Sequence, residues 1–437
     1  MNSPSTPFAR WLSLTFLALL LSTTIGTASA ATSALSFRGA MRKLWEDHVT
    51  WTRLYIVEMA ADLPGKDATA QRLLQNQTDI GSAIKPYYGA EAGDKLTALL
   101  KDHIMGAVEV LAAAKAADSV KLGAANAKWY ANGDEIAAFL STANPSSWPL
   151  DATKAEMKMH LDVTLEEATA QLKGDWAASV RAYDKVHQHI LGLADTLSTG
   201  IMTQFPAQFD QTGLVAEFPL RGAMRKLWED HITWTRLYIV EMAADQPGKD
   251  ATAQRLLQNQ TDIGNAIKPY YGAEAGDKLT ALLKDHIMGA VEVLAAAKAA
   301  DTAKLEAANA KWYANGDEIA TFLSTANPAN WPLDATKAEM KMHLDVTLEE
   351  ATAQLKGNWT ASVQAYDKVH EHILGLADTL STGILRQAPR AAAMPAALPK
   401  TGGGPGQGSG EGWPLLLVAA LLLFSGTLRF QGRAGAR

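Results

Sequence analysis

The sequence contains no cysteine among its 437 residues. This absence excludes disulfide bonds, thiolate metal ligands and cysteine nucleophiles, so the folded parts must be stabilised by packing and by non-covalent polar contacts. The chain also lacks a Gly-rich phosphate loop after a strand, a Gly-x-Ser-x-Gly elbow and a dinucleotide fingerprint. These are the usual sequence signals of nucleotide-binding enzymes and serine hydrolases.

The chain has no excess of positive charge either. Its formal net charge is −6 at pH 7, so we expect no nucleic-acid partner. Hydrophobic residues make up 48% of the sequence and charged residues 20%, which is the balance of a globular protein rather than a disordered one. The length is sufficient for two domains of ordinary size, each with its own core.

Residues 1–30 have the organisation of a secretory signal peptide. One positive charge, Arg10, precedes an apolar run from Trp11 to Leu21, and small residues lead up to Ala30. This is the order of an n-region, an h-region and an A-x-A cleavage site, and it predicts cleavage after Ala30. The apolar run is too short for a permanent membrane span, so we expect an exported protein.

The central part of the chain is a tandem duplication. The segment that begins at Arg38 returns 183 residues later, and only about a dozen positions differ between the two copies up to Gly200 and its equivalent. A repeat of this length is far longer than the units of solenoid proteins. We therefore predict two complete domains, at 37–205 and 220–385.

Apolar residues recur at helical spacing throughout each repeat, and Pro or Gly separates the helical stretches. The clearest apolar stripe contains Val180, Tyr183, His187 and Ile190. Helices of this length joined by short turns predict an all-α fold, with an antiparallel bundle of about six helices in each repeat. The helices predicted in repeat 1 are 37–62, 67–84 (ending before Pro86), 91–116, 119–141, 151–173 and 176–202.

The C-terminal region carries a spacer and then an apolar segment. Residues 386–412 are rich in Pro, Ala and Gly, which indicates a flexible spacer. Residues 413–437 form an apolar anchor with a basic tail. The spacer contains, in order, Leu398, Pro399, Lys400, Thr401 and Gly402.

This combination resembles the LPxTG sorting signal of Gram-positive cell-wall proteins. The resemblance implies that a sortase cleaves between Thr401 and Gly402 and joins the Thr401 carboxyl group to peptidoglycan. The apolar segment would hold the chain in the membrane until that transfer. Without a sortase, the same segment predicts a membrane anchor with its Arg tail in the cytoplasm. Both arrangements place the repeats outside the cell.

All ten histidines lie in the repeats, five in each copy. At about 100° per residue, His48, His103 and His187 fall in the middle of apolar stripes, His160 lies at the flank of another stripe, and His189 points away. Helical bundles build metal sites from side chains on facing helices, and neutral imidazole suits Cu, Zn, Fe or Ni. The candidate metal ligands are His48, His103, His160 and His187, repeated at His231, His286, His343 and His370.

The same histidines are also compatible with a purely structural role, as core residues hydrogen-bonded to Tyr, Thr or carboxylates. The repeat lacks the two Glu-x-x-His motifs of di-iron bundles and the His-Glu-x-x-His motif of zinc proteases. The nearest approach is Asp184-x-x-His187. Tryptophan at helical spacing favours the core over a ligand groove, with Trp148 as an exception because it lies in a predicted loop.

Three segments of repeat 1, at 44–53, 71–80 and 83–86, resemble an uncharacterised family of bacterial helical-bundle proteins. Its single-domain members span about one repeat and are often labelled glycosyltransferase or acetylglutamate kinase. The resemblance implies a helical fold and supplies no catalytic residues. A nucleotide-sugar transferase needs an α/β sheet that presents phosphates at a crevice, and no strand is predicted here, so we disfavour the glycosyltransferase label.

Two functions are compatible with these features. The favoured one is a non-enzymatic binding module at the cell surface, in which two domains on one tether give avidity for a repetitive target. The alternative is a redox or sensory bundle that binds a divalent transition metal through the inward histidines. The expected partners are a sortase, peptidoglycan and the membrane.

Overall fold

The computed structural model describes residues 31–387, and within them it confirms the all-α prediction. The described part contains eleven α-helices, one turn of 3-10 helix and two strands of two residues each. The helices of the first repeat are α1 (Ala34–Ala60), α2 (Lys66–Lys115), α3 (Ser119–Ala143), α4 (Leu150–Lys173) and α5 (Trp176–Gln204). Those of the second repeat are α6 (Leu214–Ala243), α7 (Lys249–Tyr271), α8 (Ala273–Lys298), α9 (Thr302–Ala326), α10 (Leu333–Leu355) and α11 (Trp359–Gln387).

Local sequence signals explain several of the helix ends. Asp118 precedes α3, and its side chain accepts a hydrogen bond from the Lys121 backbone nitrogen at 3.0 Å. Asp175 caps α5 in the same way through Ala178. Both contacts satisfy an amide at the helix start that has no partner within the helix. Gly174 ends α4 with a positive φ of 73°, a conformation that glycine adopts without steric cost.

The predicted break before Pro86 lies three residues too early. The helix continues through Pro86, and the chain leaves the helical conformation at Gly89, where φ is 85° and ψ is 168°. The equivalent Gly272 separates α7 from α8. A proline removes one hydrogen bond near a helix end, whereas the positive φ of Gly89 turns the chain. With α2 counted as two helices, each repeat has the six helices that its sequence predicts.

Each repeat packs as a bundle in which helices that follow one another in sequence are neighbours. In the first repeat α1 also packs against α5, which closes the bundle, and α6 packs against α11 in the second. The inward faces are apolar, as the stripe on α5 predicts. Tyr183 and Ile190 are fully buried, and His187 between them is buried as well.

The two repeats contact each other in a reciprocal manner, with α1 against α6, α5 against α7 and α2 against α11. Trp51 meets Tyr366 edge-to-face with 5.4 Å between ring centroids, and Trp234 meets Tyr183 at the same distance. This reciprocity is typical of a two-fold interface. Most buried apolar side chains of both repeats belong to one continuous cluster, and two small groups of three lie apart from it. The division into two domains therefore stays a prediction.

A short segment joins the repeats. A single turn of 3-10 helix, Pro206–Gln208, leads into β2 (Phe209–Asp210), which pairs in parallel with β1 (Thr32–Ser33). This pairing corrects the expectation of a structure without strands. The pairing connects the start of the described chain to the segment between the two repeats. Helix α6 begins at Leu214, before the predicted start of the repeat at 220, and α11 includes the first two residues of the predicted spacer.

Three predictions fall outside the described residues. They are the signal peptide at 1–30, the sorting motif at 398–402 and the apolar anchor at 413–437. Within residues 31–387, no helix combines the length and the hydropathy that a membrane span requires.

Candidate metal centre

Three of the predicted histidines meet in the core of the first repeat, and each comes from a different helix. His48 lies on α1, His103 on α2 and His160 on α4, and all three are buried. The ring centroids are 6.2 Å apart for His48 and His103, 5.5 Å for His48 and His160, and 5.9 Å for His103 and His160. We call these three residues the histidine cluster of repeat 1.

The nitrogen atoms of the histidine cluster are close enough to share one ion after a small adjustment. One ring nitrogen from each residue lies within 4.8 Å of the others. In a tetrahedral site with metal–nitrogen bonds of 2.0–2.1 Å, ligand nitrogens are about 3.4 Å apart. Because 4.8 Å is an upper limit, the ligand nitrogens must approach one another by at most about 1.4 Å.

A buried amide fixes the tautomer of His48. The amide nitrogen of Gln77 donates to the Leu73 carbonyl oxygen at 2.8 Å and to Asn76 Oδ1 at 3.1 Å. The atom of Gln77 that faces His48 Nδ1 at 3.2 Å is therefore the oxygen, so Nδ1 must carry the proton. The other ring nitrogen, Nε2, is left with the lone pair that a metal ion requires.

His103 is oriented by the same arrangement on another helix. Asn132 on α3 donates from its amide nitrogen to the Leu99 carbonyl oxygen at 3.1 Å, and its Oδ1 lies 3.1 Å from His103 Nδ1. Nδ1 of His103 is thus also the protonated nitrogen. Metal-binding histidines characteristically donate their second ring nitrogen to a protein acceptor, and two of the three cluster members already do so.

His160 has different surroundings. Its Nδ1 is buried without a hydrogen-bond partner, which is costly for a polar atom in the core unless a ligand satisfies it. The ring of His189 stacks on His160 with 5.8 Å between centroids. The prediction that His189 points away was therefore wrong. The position of His189 on α5 brings it beside the cluster, where its Nδ1 is 3.8 Å from Glu156.

Burial keeps the histidine cluster uncharged. Desolvation lowers the pKa of His48 to about 3 and that of His103 to about 4, and it holds the pKa of His160 well below its usual range. Repulsion from the neighbouring imidazoles acts in the same direction on His48 and His160. Neutral imidazole is the form that binds metal ions.

A small cavity of about 30 Å³ adjoins the histidine cluster. All three histidines line it, and the rest of its wall is almost entirely apolar, with Met41 and Met157 among the lining residues. An ion held by the three imidazoles would therefore have an open side that faces a small, mainly apolar space. Sequence periodicity places these side chains on inward faces, but it does not reveal the gap between them.

The second repeat reproduces the histidine cluster with His231, His286 and His343. Here the Nδ1 atom of His286 lies 3.0 Å from Asn315 Oδ1, and Nδ1 of His343 again has no partner. A second cavity of about 30 Å³ lies beside it. The copies differ at one contact, because Nδ1 of His231 has no hydrogen bond that matches the one between His48 and Gln77.

The structure does not bring His187 or His370 to the clusters, which corrects the expectation of four ligands per repeat. His187 Nε2 is 3.0 Å from Glu46 Oε1, and its Nδ1 is 3.0 Å from Asp230 Oδ1 in the other repeat. Burial alone would lower the pKa of His187, but the contacts with Asp230 and Glu46 raise it to about 9. A protonated imidazole between two carboxylates cannot serve as a metal ligand.

The tryptophan residues lie mostly in the core, as their helical spacing predicts. Trp45, Trp51 and Trp129 are buried in the core. Trp148 is also buried, at 4% exposure, although it precedes α4 in a loop, so its treatment as an exception was wrong. The amides Gln77 and Asn132 were missed by the sequence analysis. Both amides lie on helix faces that are otherwise apolar, and this pattern is the sequence signal that could have indicated them.

The chemistry of the histidine cluster is defined by three neutral nitrogen donors, a buried position and one open side. Among residues 31–387, the two histidine clusters are the only groups of three or more His, Cys, Asp or Glu side chains with this proximity. Comparison of the chain with models of protein families, with curated proteins and with solved structures found no match.

Proposed function

We propose that each repeat binds one transition-metal ion through its histidine cluster, and that the chain is a tandem metal-binding module. The observation that carries the proposal is the convergence of three buried, neutral imidazoles on one point in both copies. Three nitrogen ligands and an open fourth position are typical of zinc and copper sites. The proposal joins the two functions that the sequence leaves open, since a metal-binding module need not be an enzyme.

The surroundings of the histidine cluster support a ligand role over a purely structural one. A buried ring nitrogen without a hydrogen-bond partner costs free energy that a bound ligand would recover. His160 Nδ1 and His343 Nδ1 have no protein partner. The hydrogen bonds of His48 and His103 to amide oxygens orient their unprotonated nitrogens, as a metal site requires.

The ligand set also restricts the class of metal. Ca²⁺ and Mg²⁺ require oxygen ligands, and the histidine cluster contains none. Imidazole nitrogens suit Zn²⁺, copper, Ni²⁺ and iron. We propose Zn²⁺ or copper as the bound ion, because a site with three histidines and no carboxylate is typical of these two.

The location of the module remains the one expected from its termini. The signal-peptide pattern at 1–30 and the LPKTG motif at 398–402 support export and attachment to the cell surface. On this proposal the metal sites lie outside the cytoplasm, and sortase, peptidoglycan and the membrane are the partners of the anchor. The absence of cysteine suits a site that must bind metal in an oxidising environment, because histidine ligands do not form disulfides.

The experiment uses protein purified without a histidine tag and without chelators. We expect isothermal titration with Zn²⁺ and elemental analysis after dialysis to give two ions per chain. His48→Ala and His231→Ala should each reduce the stoichiometry to one, and each is the matched control for the other. The double variant should bind none. Wild-type protein that binds no metal, or a double variant that retains two ions, would overturn the proposal.

A further inference from the structure

The cavity beside each histidine cluster has a size and a lining that select a particular class of ligand. A single water molecule needs about 10–15 Å³ of such a cavity. The cavities measure about 30 Å³ each, so each has room for a molecule of about two non-hydrogen atoms. Sugars, amino acids and aromatic compounds are too large for this space.

The wall excludes charged and strongly polar ligands. Apart from the histidines, the cavity of repeat 1 is lined by groups such as Ile136, Leu197 and the ring of Trp45. The Tyr88 side chain also lines it, but its hydroxyl donates to Gln204 Oε1 at 2.7 Å. A small anion would lose its hydration without gaining protein partners, whereas a neutral diatomic molecule loses little.

The position of the cavity connects it to the metal. All three ligands line the same cavity, so an ion held by them presents its remaining coordination position to this space. A tetrahedral ion with three protein ligands takes its fourth ligand from outside. This inference rests on the proposed metal function, and it concerns the ligand that the metal receives.

We propose that each cavity admits a neutral diatomic gas, of the class of CO, NO and O₂, which binds the fourth position of the metal. The contact is a dative bond from the gas to the ion, and no group is transferred. Thioether sulfur favours the reduced copper ion over harder metals when it coordinates, and Met41 and Met157 both lie in the cavity wall. Copper(I) is therefore the ion with which the pocket is best tested.

The test loads the full chain with Cu(I) under anaerobic reducing conditions, adds CO, and records the infrared spectrum. Elemental analysis of the same sample gives the copper content. We expect two copper ions per chain and a carbonyl stretch that shifts when ¹³CO replaces CO. Bound copper without a carbonyl band would overturn the gas pocket and leave the metal site intact. Absence of bound copper would overturn both.

Matched variants locate the gas in the cavity. Ala143 on α3 and Ala326 on α9 line the two cavities, and Ala143→Leu with Ala326→Leu should fill them. This double variant should keep two copper ions and lose the carbonyl band. Ala124→Leu with Ala307→Leu places the same bulk at exposed positions of the same helices, and it should retain both signals. A carbonyl band of full intensity in the cavity-filled variant would overturn the assignment.

Discussion

His187 and Asp230 lie in different repeats, and His187 Nδ1 donates to Asp230 Oδ1 at 3.0 Å in a fully buried position. The second ring nitrogen of His187 donates to Glu46 at 3.0 Å. The reciprocal residue His370 has Nδ1 at 3.0 Å from Asp47 and Nε2 at 2.7 Å from Glu229. Two buried imidazolium groups thus connect the repeats. Each lies between one carboxylate of its own repeat and one carboxylate of the other repeat.

Removal of one imidazolium should destabilise the whole molecule. In His187→Gln the carboxylate of Glu46 stays buried and loses its imidazolium partner, and Asp230 keeps only Lys226 and Arg255. Loss of one member of a buried ion pair typically costs about 3–5 kcal/mol. Chemical denaturation should show this decrease in the free energy of unfolding.

The matched control is His189→Gln, two residues away on the same helix. The nearest carboxylate of His189 is 3.8 Å distant and belongs to the half-exposed Glu156. We therefore expect a clearly smaller loss from this substitution. Equal losses from the two variants would contradict the buried ion-pair network.

Stability should fall as the pH rises above neutrality. The pKa values of His187 and His370 are about 9 in the folded protein, against about 6.5 for an unfolded histidine. A raised folded pKa gives stability that is complete below pH 6.5 and is lost as the pH rises through about 9. The facing charged groups are Glu46, Asp230 and Lys226 around His187, with their counterparts around His370.

The measurement is the free energy of unfolding by chemical denaturation between pH 6.5 and 9.5, in the presence of a chelator so that metal binding does not contribute. The wild type should lose stability across this window on the order of a few kcal/mol. The double variant His187→Gln/His370→Gln should show a flatter profile between pH 7.5 and 9.5. A wild-type profile without any decline in this range would be inconsistent with protonated imidazoles at the interface.

The contacts between repeats explain why the histidine cluster was predicted only in part. Helical periodicity places His48, His103 and His187 on inward faces, and all three are indeed buried. Periodicity gives a direction relative to one helix, but it does not say which helix lies opposite. His187 faces the other repeat, whose position the sequence of one repeat does not contain. His160 belongs to the cluster, as predicted, although it lies at the flank of the apolar stripe on its helix.

The helix ends show the same contrast between features that neighbours in sequence determine and features that depend on tertiary contacts. The predicted helix starts at 119 and 176 and the predicted end at 173 agree with α3, α5 and α4, because capping by Asp118, Asp175 and Gly174 involves neighbours in sequence. The sequence predicts the break at Pro86, because proline removes a helix hydrogen bond, whereas the chain leaves the helix at Gly89. The short strand pairing joins residues far apart in the chain, and no local pattern predicts it.

Unfolding should be a single cooperative transition rather than two. The repeats share buried cross-contacts, including the ion pair of Arg72 with Asp367 at 2.9 Å and that of Arg255 with Asp184 at 2.9 Å. Loss of either bundle would expose these charged and aromatic groups on the other. Calorimetry should therefore give equal calorimetric and van't Hoff enthalpies. Two resolved transitions would indicate that the repeats are independent domains.

Metal binding should raise the melting temperature in proportion to the number of intact clusters. An ion present at one hundred times its dissociation constant stabilises the folded state by about 2.7 kcal/mol per site. Zn²⁺ should therefore raise the melting temperature of the wild type. The rise should be smaller in His48→Ala, and the His48→Ala/His231→Ala variant should show no rise. Identical shifts in all three proteins would point to binding elsewhere.

A pair of glycines on α5 tests the packing around the cavity. Gly200 lies against Trp148, and an added Cβ would come within 2.6 Å of Trp148 Cε2. Because Trp148 is buried and forms part of the cavity wall, Gly200→Ala must displace the indole. Overpacking of this kind typically costs about 1–3 kcal/mol. The same loss is expected for Gly383→Ala, whose Cβ would come within 2.6 Å of Trp331 Cε2.

Gly192→Ala on the same helix is the control. An added Cβ at Gly192 meets nothing within 4 Å, and the residue is exposed in the interior of α5. Alanine there should stabilise the protein by about 0.5–1 kcal/mol, because glycine loses more backbone freedom on folding. The two substitutions are chemically identical, so opposite signs in the free energy of unfolding would isolate the contact between Gly200 and Trp148. If Gly200→Ala were as stabilising as Gly192→Ala, the indole could not pack against α5 as the structure places it.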